Sequence, residues 1–298
     1  MISRLPLICL GTIALSCVGK AADSDPAAKT PPPAKAPATY GDQIRQMLPV
    51  AWWSFDTDKP EQGEIEGSVE LGKPGPTSKQ FRSFPDNNRA AAFTSKDGKA
   101  TGFIQLEDVG AGSQFDFDNG DPITIEAWVN PDADLPKGAN MYILGKGRTS
   151  NPGVEANNQN YGFRVFESGG FLKLSWLFRS RAEADKPGDW HRWDSNDGFK
   201  AGSGWHHVAI SYLFGDPDSI RGYIDGEAVT GIWSSAYAGG TKRPPVVDDD
   251  DIWVGTSGGK NASVTFHGLL DEVALYRRLL TEEQLADRFP MEPYTPKL

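Results

Sequence analysis

The sequence predicts an all-β fold, a two-sheet antiparallel sandwich or jelly roll with one short C-terminal helix, and three observations carry that expectation. Aromatic residues make up 11% of the 298 positions, alongside 33 Gly and 22 Pro; rings and β-branched runs punctuated by turn formers suit strands better than helices. Runs that alternate apolar and polar residues with a period of two recur through the chain. Between two such runs, Asp225-Gly226 supplies the positive φ angles of a two-residue type I′ hairpin. Hydrophobic residues at 38% are enough for a core in a chain of this length, without stapling by metal or disulfide.

The opening MISRLPLICLGTIALSCVGKA has Arg4 in a short basic region, an apolar stretch from Leu5 to Val18 and a small-residue exit. That is the pattern of a secretory signal peptide over residues 1–21, cleaved after Ala21. A membrane-spanning helix needs about 20 apolar residues, and this run stops sooner, at Gly19 and Lys20. Ala14-Leu15-Ser16-Cys17 also resembles a bacterial lipobox, so lipidation at Cys17 is the alternative fate of the leader. Both cysteines, Cys9 and Cys17, lie in it, which leaves the mature chain no thiol pair. Residues 22–39 are rich in Ala, Pro and Lys, the composition of a disordered linker. The expected location is therefore secreted, periplasmic or at the cell surface, with no transmembrane span in the mature chain.

Residues 40–290 read as one domain. Tyr40 to Leu48 forms a short helix that Pro49 stops, and Val50 to Asp56 is the first strand. Ile123 to Val129 alternates cleanly between Asp121-Pro122 and Asn130-Pro131. Further strand runs are Tyr142 to Gly145, Tyr161 to Glu167, Phe171 to Arg179, His206 to Phe214, Arg221 to Ile224, Glu227 to Thr230, Asp251 to Gly255 and Ser263 to Tyr276. The polar stretch 181–203 reads as a long connection. Thr281 caps a closing helix with Gln284 returning the bond, and Leu280 staples to Leu285. Residues 291–298 are a tail.

Four segments, in order, resemble the laminin-G-like jelly-roll domains of the concanavalin A-like lectin and glucanase superfamily. They are Ala51-Trp52-Trp53-Ser54-Phe55-Asp56; the strand Ile123 to Val129; Gly204-Trp205-His206-His207-Val208-Ala209 with Tyr223-Ile224-Asp225-Gly226; and Phe266 to Tyr276 with Leu280-Thr281-Glu282-Glu283-Gln284 behind it. The likeness covers roughly residues 48–290 and implies two antiparallel sheets of six or seven strands each. It implies no activity, because function sits in sites grafted onto such folds.

A net charge of −10 repels phosphate backbones, so nucleic acid is not expected as a partner. Neutral glycans remain, as do anionic ones bridged by calcium. Glycoside hydrolysis needs two carboxylates placed across the scissile bond, yet Glu126 stands alone in its strand and Asp271-Glu272 point to opposite faces. A meeting of distant carboxylates, such as Glu126 with Glu167, stays open. Gly255-Thr256-Ser257-Gly258-Gly259 matches a nucleophile elbow but lacks the following helix. Adjacent His206 and His207 face opposite sides, and His191 and His267 lack ligand spacing, so zinc is not expected.

No cofactor is required, although oxygen-rich segments leave a structural Ca2+ open, with Asp116, Asp118, Asp248 and Asp249 as its candidate ligands. A pentraxin-like calcium site would need acids where Thr256-Ser257-Gly258-Gly259-Lys260 stand. The clearest positive signal is aromatic: Trp190 and Trp193 in the stretch 181–203, flanked by Trp176 and Arg179 on one strand and Tyr161 and Arg164 on its neighbour. Together they describe a surface on which a sugar ring stacks. The expected function is an exported binding module for carbohydrate or an extracellular protein, without catalysis. A glycan-active enzyme on the same fold and a purely structural surface protein are the alternatives, and the oligomeric state is not readable.

Overall fold

The computed structural model describes residues 39–96, 99–148, 158–257 and 264–289. The expected signal peptide, Cys17, the linker as far as residue 38 and the tail lie outside the described residues, as does part of the elbow-like 255–259 segment. Among the described residues no helix is long and apolar enough to cross a membrane.

The chain enters through α1 (Tyr40–Gln46) and β1 (Ala51–Trp53), then forms β2 (Glu64–Gly67), β3 (Glu70–Pro74) and β4 (Arg89–Phe93). A small hairpin of β5 (Ser95–Lys96) and β6 (Lys99–Ala100) leads to β7 (Gly102–Leu106) and the long strands β8 (Pro122–Pro131), β9 (Asn140–Gly147) and β10 (Gln159–Ser168). There follow β11 (Phe171–Arg179), β12 (Trp190–Lys200), β13 (His206–Leu213), β14 (Asp216–Ile224), β15 (Glu227–Val229) and β16 (Gly231–Trp233). The described chain closes with β17 (Ile252–Val254), β18 (Gly268–Tyr276) and α2 (Glu282–Ala286).

Two eight-stranded antiparallel sheets result. The first runs β15-β14-β13-β8-β18-β4-β3 with β1 also paired to β18, and the second runs β16-β12-β11-β10-β9-β17-β7-β2. Each exceeds the six or seven strands implied above, and the surplus lies in short strands between residues 64 and 106 and in β16, whose brief runs carry little alternation.

The sandwich core follows from period two. Ile123, Ile125, Ala127 and Val129 of β8 and Val208, Ile210 and Tyr212 of β13 point inward to meet Tyr161, Phe163 and Val165 of β10 and Leu172, Leu174 and Trp176 of β11. The hairpin forms as expected, with Asp225 and Gly226 at φ 54° and 82°. Thr281 Oγ1 accepts from the Gln284 backbone N–H while Gln284 Oε1 accepts from the Thr281 N–H, the reciprocal bonds of a capping box.

The stretch 181–203 is not a loop through its length, because β12 occupies Trp190–Lys200 and pairs with both β11 and β16. Its alternation is masked in sequence by polar residues on the inner face. His191 is buried with its ring nitrogens 2.8 Å from the Gly239 carbonyl and 3.0 Å from Ser180 Oγ, and Ser195 Oγ accepts from the Leu174 N–H.

Candidate ligand-binding face

The outer faces of the two sheets are treated differently. On the first, Trp128, Ala209, Tyr223, Ala274 and Tyr276 form a second core with Tyr40 and Ile44 of α1, Phe84, and Leu280 and Leu285. Glu126 is fully buried at its centre, accepting from Tyr40 Oη at 3.2 Å and from Tyr276 Oη, with His207 Nε2 at 3.0 Å and Arg288 Nε at 3.2 Å. Burial alone would raise its pKa, but Arg288 and the bonds from His207 and Tyr276 hold it at about 2. Glu167 sits instead at the end of β10 in the other sheet, accepting from the Gly138 and Gly170 N–H groups. The two carboxylates do not meet.

The Asp271-Glu272 pair is internal too. Asp271 accepts from Asn88 Nδ2 at 2.7 Å, and Glu272 accepts from Trp52 Nε1 at 2.6 Å, at a bulge where β18 shifts register against β8 and Glu272 adopts φ 50°. Burial and repulsion among neighbouring carboxylates push both pKa values well above the ordinary range.

On the second sheet, the outward positions of β9–β12 carry a layer of guanidinium and aromatic groups. Cross-strand pairing places Tyr142, Arg164, Ser175 and Asp194 in one row, and Gly145, Gly162, Leu177 and Arg192 in the next. Gly162 keeps the surface flat, since a Cβ there would lie 2.7 Å from the Tyr142 ring. Over this floor, Arg164 lies 5.4 Å from the Tyr142 centroid, and Arg192 lies 4.7 Å from Phe166 and 5.4 Å from Tyr237. Arg148 and Arg179 flank Trp190 at 5.5 and 5.6 Å. Arg148 Nη1 also donates to Tyr142 Oη at 3.3 Å, so it spans the face from β9 to β12.

The electrostatics agree with a surplus of positive charge. Burial would raise the Tyr142 hydroxyl, yet Arg164 and Arg148 lower it below its ordinary value. Arg164, itself buried, is lowered by desolvation and by repulsion from Arg192, against an opposing pull from Tyr142.

Of the six residues expected to form a ligand surface, the structure gathers three on this face, Trp190 and Arg179 partly exposed and Arg164 buried in the floor at 5% exposure. Tyr161 and Trp176 are fully buried between the sheets, and Trp193 keeps only 3% of its surface. The correction has a simple cause. Tyr161 and Arg164, Trp176 and Arg179, and Trp190 and Trp193 are each three residues apart, and in a strand an odd spacing sends side chains to opposite faces. Trp193 lines an edge cleft of about 450 Å3 with Ile220 and Trp233, too deeply packed against Gly222 and Gly231 to offer a ring for stacking. Tyr142, Arg148, Arg192 and Tyr237 went unread; the parity of β9 and β12 would have pointed to Tyr142 and Arg192.

Of the four aspartates named for calcium, Asp116 and Asp248 meet only at Lys146 Nζ. Asp116 pairs with Lys146 Nζ at 2.8 Å, and Asp118 with Arg181 at 2.8 Å. Asp248 accepts from Asn158 Nδ2 through its side chain and from Lys146 Nζ through its carbonyl, while Asp249 is exposed. Lys146, fully buried, also reaches Asp108 at 2.6 Å. An ammonium thus occupies the centre of the acidic cluster. Among the described residues no group of three or more potential ligands is placed to hold a metal ion.

No curated protein sequence matches the chain. Among solved structures, domain 4 of the extracellular GH43 arabinanase AbnA from Geobacillus stearothermophilus, in complex with arabinotriose, is 18% identical, with TM-score 0.46 over 81% of this chain and 98% of that one. The heptameric SAP-like pentraxin of Limulus polyphemus is 14% identical, with TM-score 0.44 over 71% and 82%. The binding domain of Paraclostridial Mosquitocidal Protein 1 is 14% identical, with TM-score 0.48 over 78% and 49%. Likeness at this level assigns no ligand. The Laminin_G_3 family model, described as concanavalin A-like lectin/glucanases superfamily, matches residues 97–286, more than half of the sequence, and the chain belongs to that family.

Proposed function

We propose that the protein is an exported binding module that recognises carbohydrate on the outer face of β9–β12. The observation that carries this reading is the half-buried Trp190 ring between the Arg148 and Arg179 guanidiniums, with Arg192 and Tyr237 on the same face over a buried floor of Tyr142 and Arg164, on the sheet that the terminal helices do not cover. A pyranose offers apolar C–H surface to a ring and hydroxyls to guanidinium donors, and this layer supplies both. The apolar leader and the Ala/Pro-rich segment after it support export. Catalysis is not favoured, since Glu126 is buried against Arg288 and Asp271 and Glu272 are internal.

Affinity electrophoresis of the secreted chain through gels containing single polysaccharides tests the reading. Trp190→Ala should weaken the retained interaction by about 30-fold, the loss of a central aromatic contact worth about 2 kcal/mol. Unchanged retardation in Trp190→Ala, with the fold intact by circular dichroism, overturns it. Trp193 is left untouched because its removal opens the core.

A further inference from the structure

We infer that the saccharide bound on this face is anionic, its carboxylate or sulfate ester held by Arg148 and Arg179 beside Trp190. This rests on the carbohydrate reading above and deepens it. Arg148 follows β9, Arg179 ends β11 beside Trp190 at the start of β12, Arg192 lies two residues further along β12 and Arg164 sits buried in the floor; the carboxylate among these outward positions is Asp194, bonded to Arg192 Nε at 2.7 Å. Among the described residues, Arg148, Arg164 and Arg179 make no ion pair with a carboxylate; Arg164 Nε donates to Ser175 Oγ, and Arg148 to Tyr142 Oη. Elsewhere several arginines are paired, Arg181 with Asp118, Arg243 with Glu183 and Asp189, Arg277 with Asp121 and Arg288 with Glu126, while Arg221, among the described residues, donates only to carbonyls; what sets this face apart is that its unpaired arginines lie together around Trp190.

Like charges gathered without counter-ions repel one another: Arg164, lowered chiefly by burial, is lowered further by Arg192, and the Tyr142 hydroxyl, which burial would raise, is lowered by the nearby Arg164 and Arg148. A bound anion would relieve that repulsion and accept the planar, forked donors that guanidinium presents. The overall charge of −10 slows the long-range approach of a polyanion but does not set the contact itself. At physiological ionic strength charges are screened beyond about 8 Å, so an arriving anion meets the local arginines rather than the sum over the molecule.

The distinguishing experiment compares matched polymers that differ in charge alone. Polygalacturonate and highly methyl-esterified pectin form one pair, carrageenan and its desulfated counterpart the other, each with the secreted full chain in affinity gels at low and high salt. The expected result is a preference of about tenfold or more for an anionic member, weakened by salt. Which pair shows it separates a carboxylate from a sulfate ester. Arg148→Gln and Arg179→Gln should each reduce binding of the anionic polymer towards that of its neutral partner, with unchanged melting temperature. Equal or tighter binding of neutral polymers that still depends on Trp190 overturns the anionic inference and leaves the carbohydrate reading standing; binding of no saccharide in any panel overturns both.

Discussion

Replacing Glu126 with Gln tests whether the outer core of the first sheet is organised by charge or merely by its apolar contacts. The amide nearly preserves shape and removes the negative charge beside Arg288, a guanidinium only 3% exposed, and it mismatches hydrogen bonds from Tyr40 and Tyr276. Removing one partner from a buried pair costs about 3–5 kcal/mol, because the other charge is left uncompensated. For a domain of this size that corresponds to a fall in Tm of about 6–20 °C. Acid titration supplies an independent check. A carboxyl depressed from 4.5 to about 2 in the folded state contributes stability that is fully present above the unfolded value and lost as pH falls between the two. That drop amounts to about 3 kcal/mol. Urea denaturation at pH 6 and pH 3 should therefore show a steep acid loss in the wild type and a shallower one in Glu126→Gln. A loss below about 1 kcal/mol at pH 6, with parallel acid profiles, would refute the view that this network fastens the helices to the sheet.

Two further expectations concern buried charge. Lys146→Met leaves Asp108 and Asp116 facing each other without their ammonium and should cost about 3–5 kcal/mol by chemical denaturation, whereas excess chelator should leave the wild-type Tm unchanged because Lys146 already balances those carboxylates. Asp271 and Glu272 have the opposite sign to Glu126: their raised folded values make the stabilising contribution complete below the ordinary 3.8 and 4.5 and progressively lost as pH rises through the raised values. Glu272→Gln should thus gain stability relative to the wild type at pH 8 compared with pH 4, as read by urea denaturation at the two pH values. An equal penalty at both pH values would show that the hydrogen bond from Trp52 outweighs the repulsion.

The readable parts of the fold were those whose signals are local. Asp225-Gly226 dictates a turn through its own φ angles, and Thr281 with Gln284 dictates a helix start through bonds three residues apart. Ile123 to Val129 shows its strand because each inward residue is apolar. In β12 the inward positions include His191 and Ser195, so the hydrophobic period fails although the backbone period holds. The site was half legible for a related reason. Residue types were recognised, but Trp176, Trp193 and Tyr161 were grouped with arginines of opposite parity. Partners brought together by tertiary packing, such as Lys146 with Asp108 or Glu126 with Arg288, leave no trace in sequence spacing.

The closure of the first sheet by α1 and α2 also fixes an orientation. The described chain begins at Thr39 beside α1 and ends at Phe289 beside α2, and Tyr40, Leu285 and Phe289 all pack on that same sheet. Both of these described ends therefore lie against the first sheet, and the arginine layer stands on the second. A ligand held at Trp190 would thus be bound without displacing either helix or disturbing the Glu126 network beneath them.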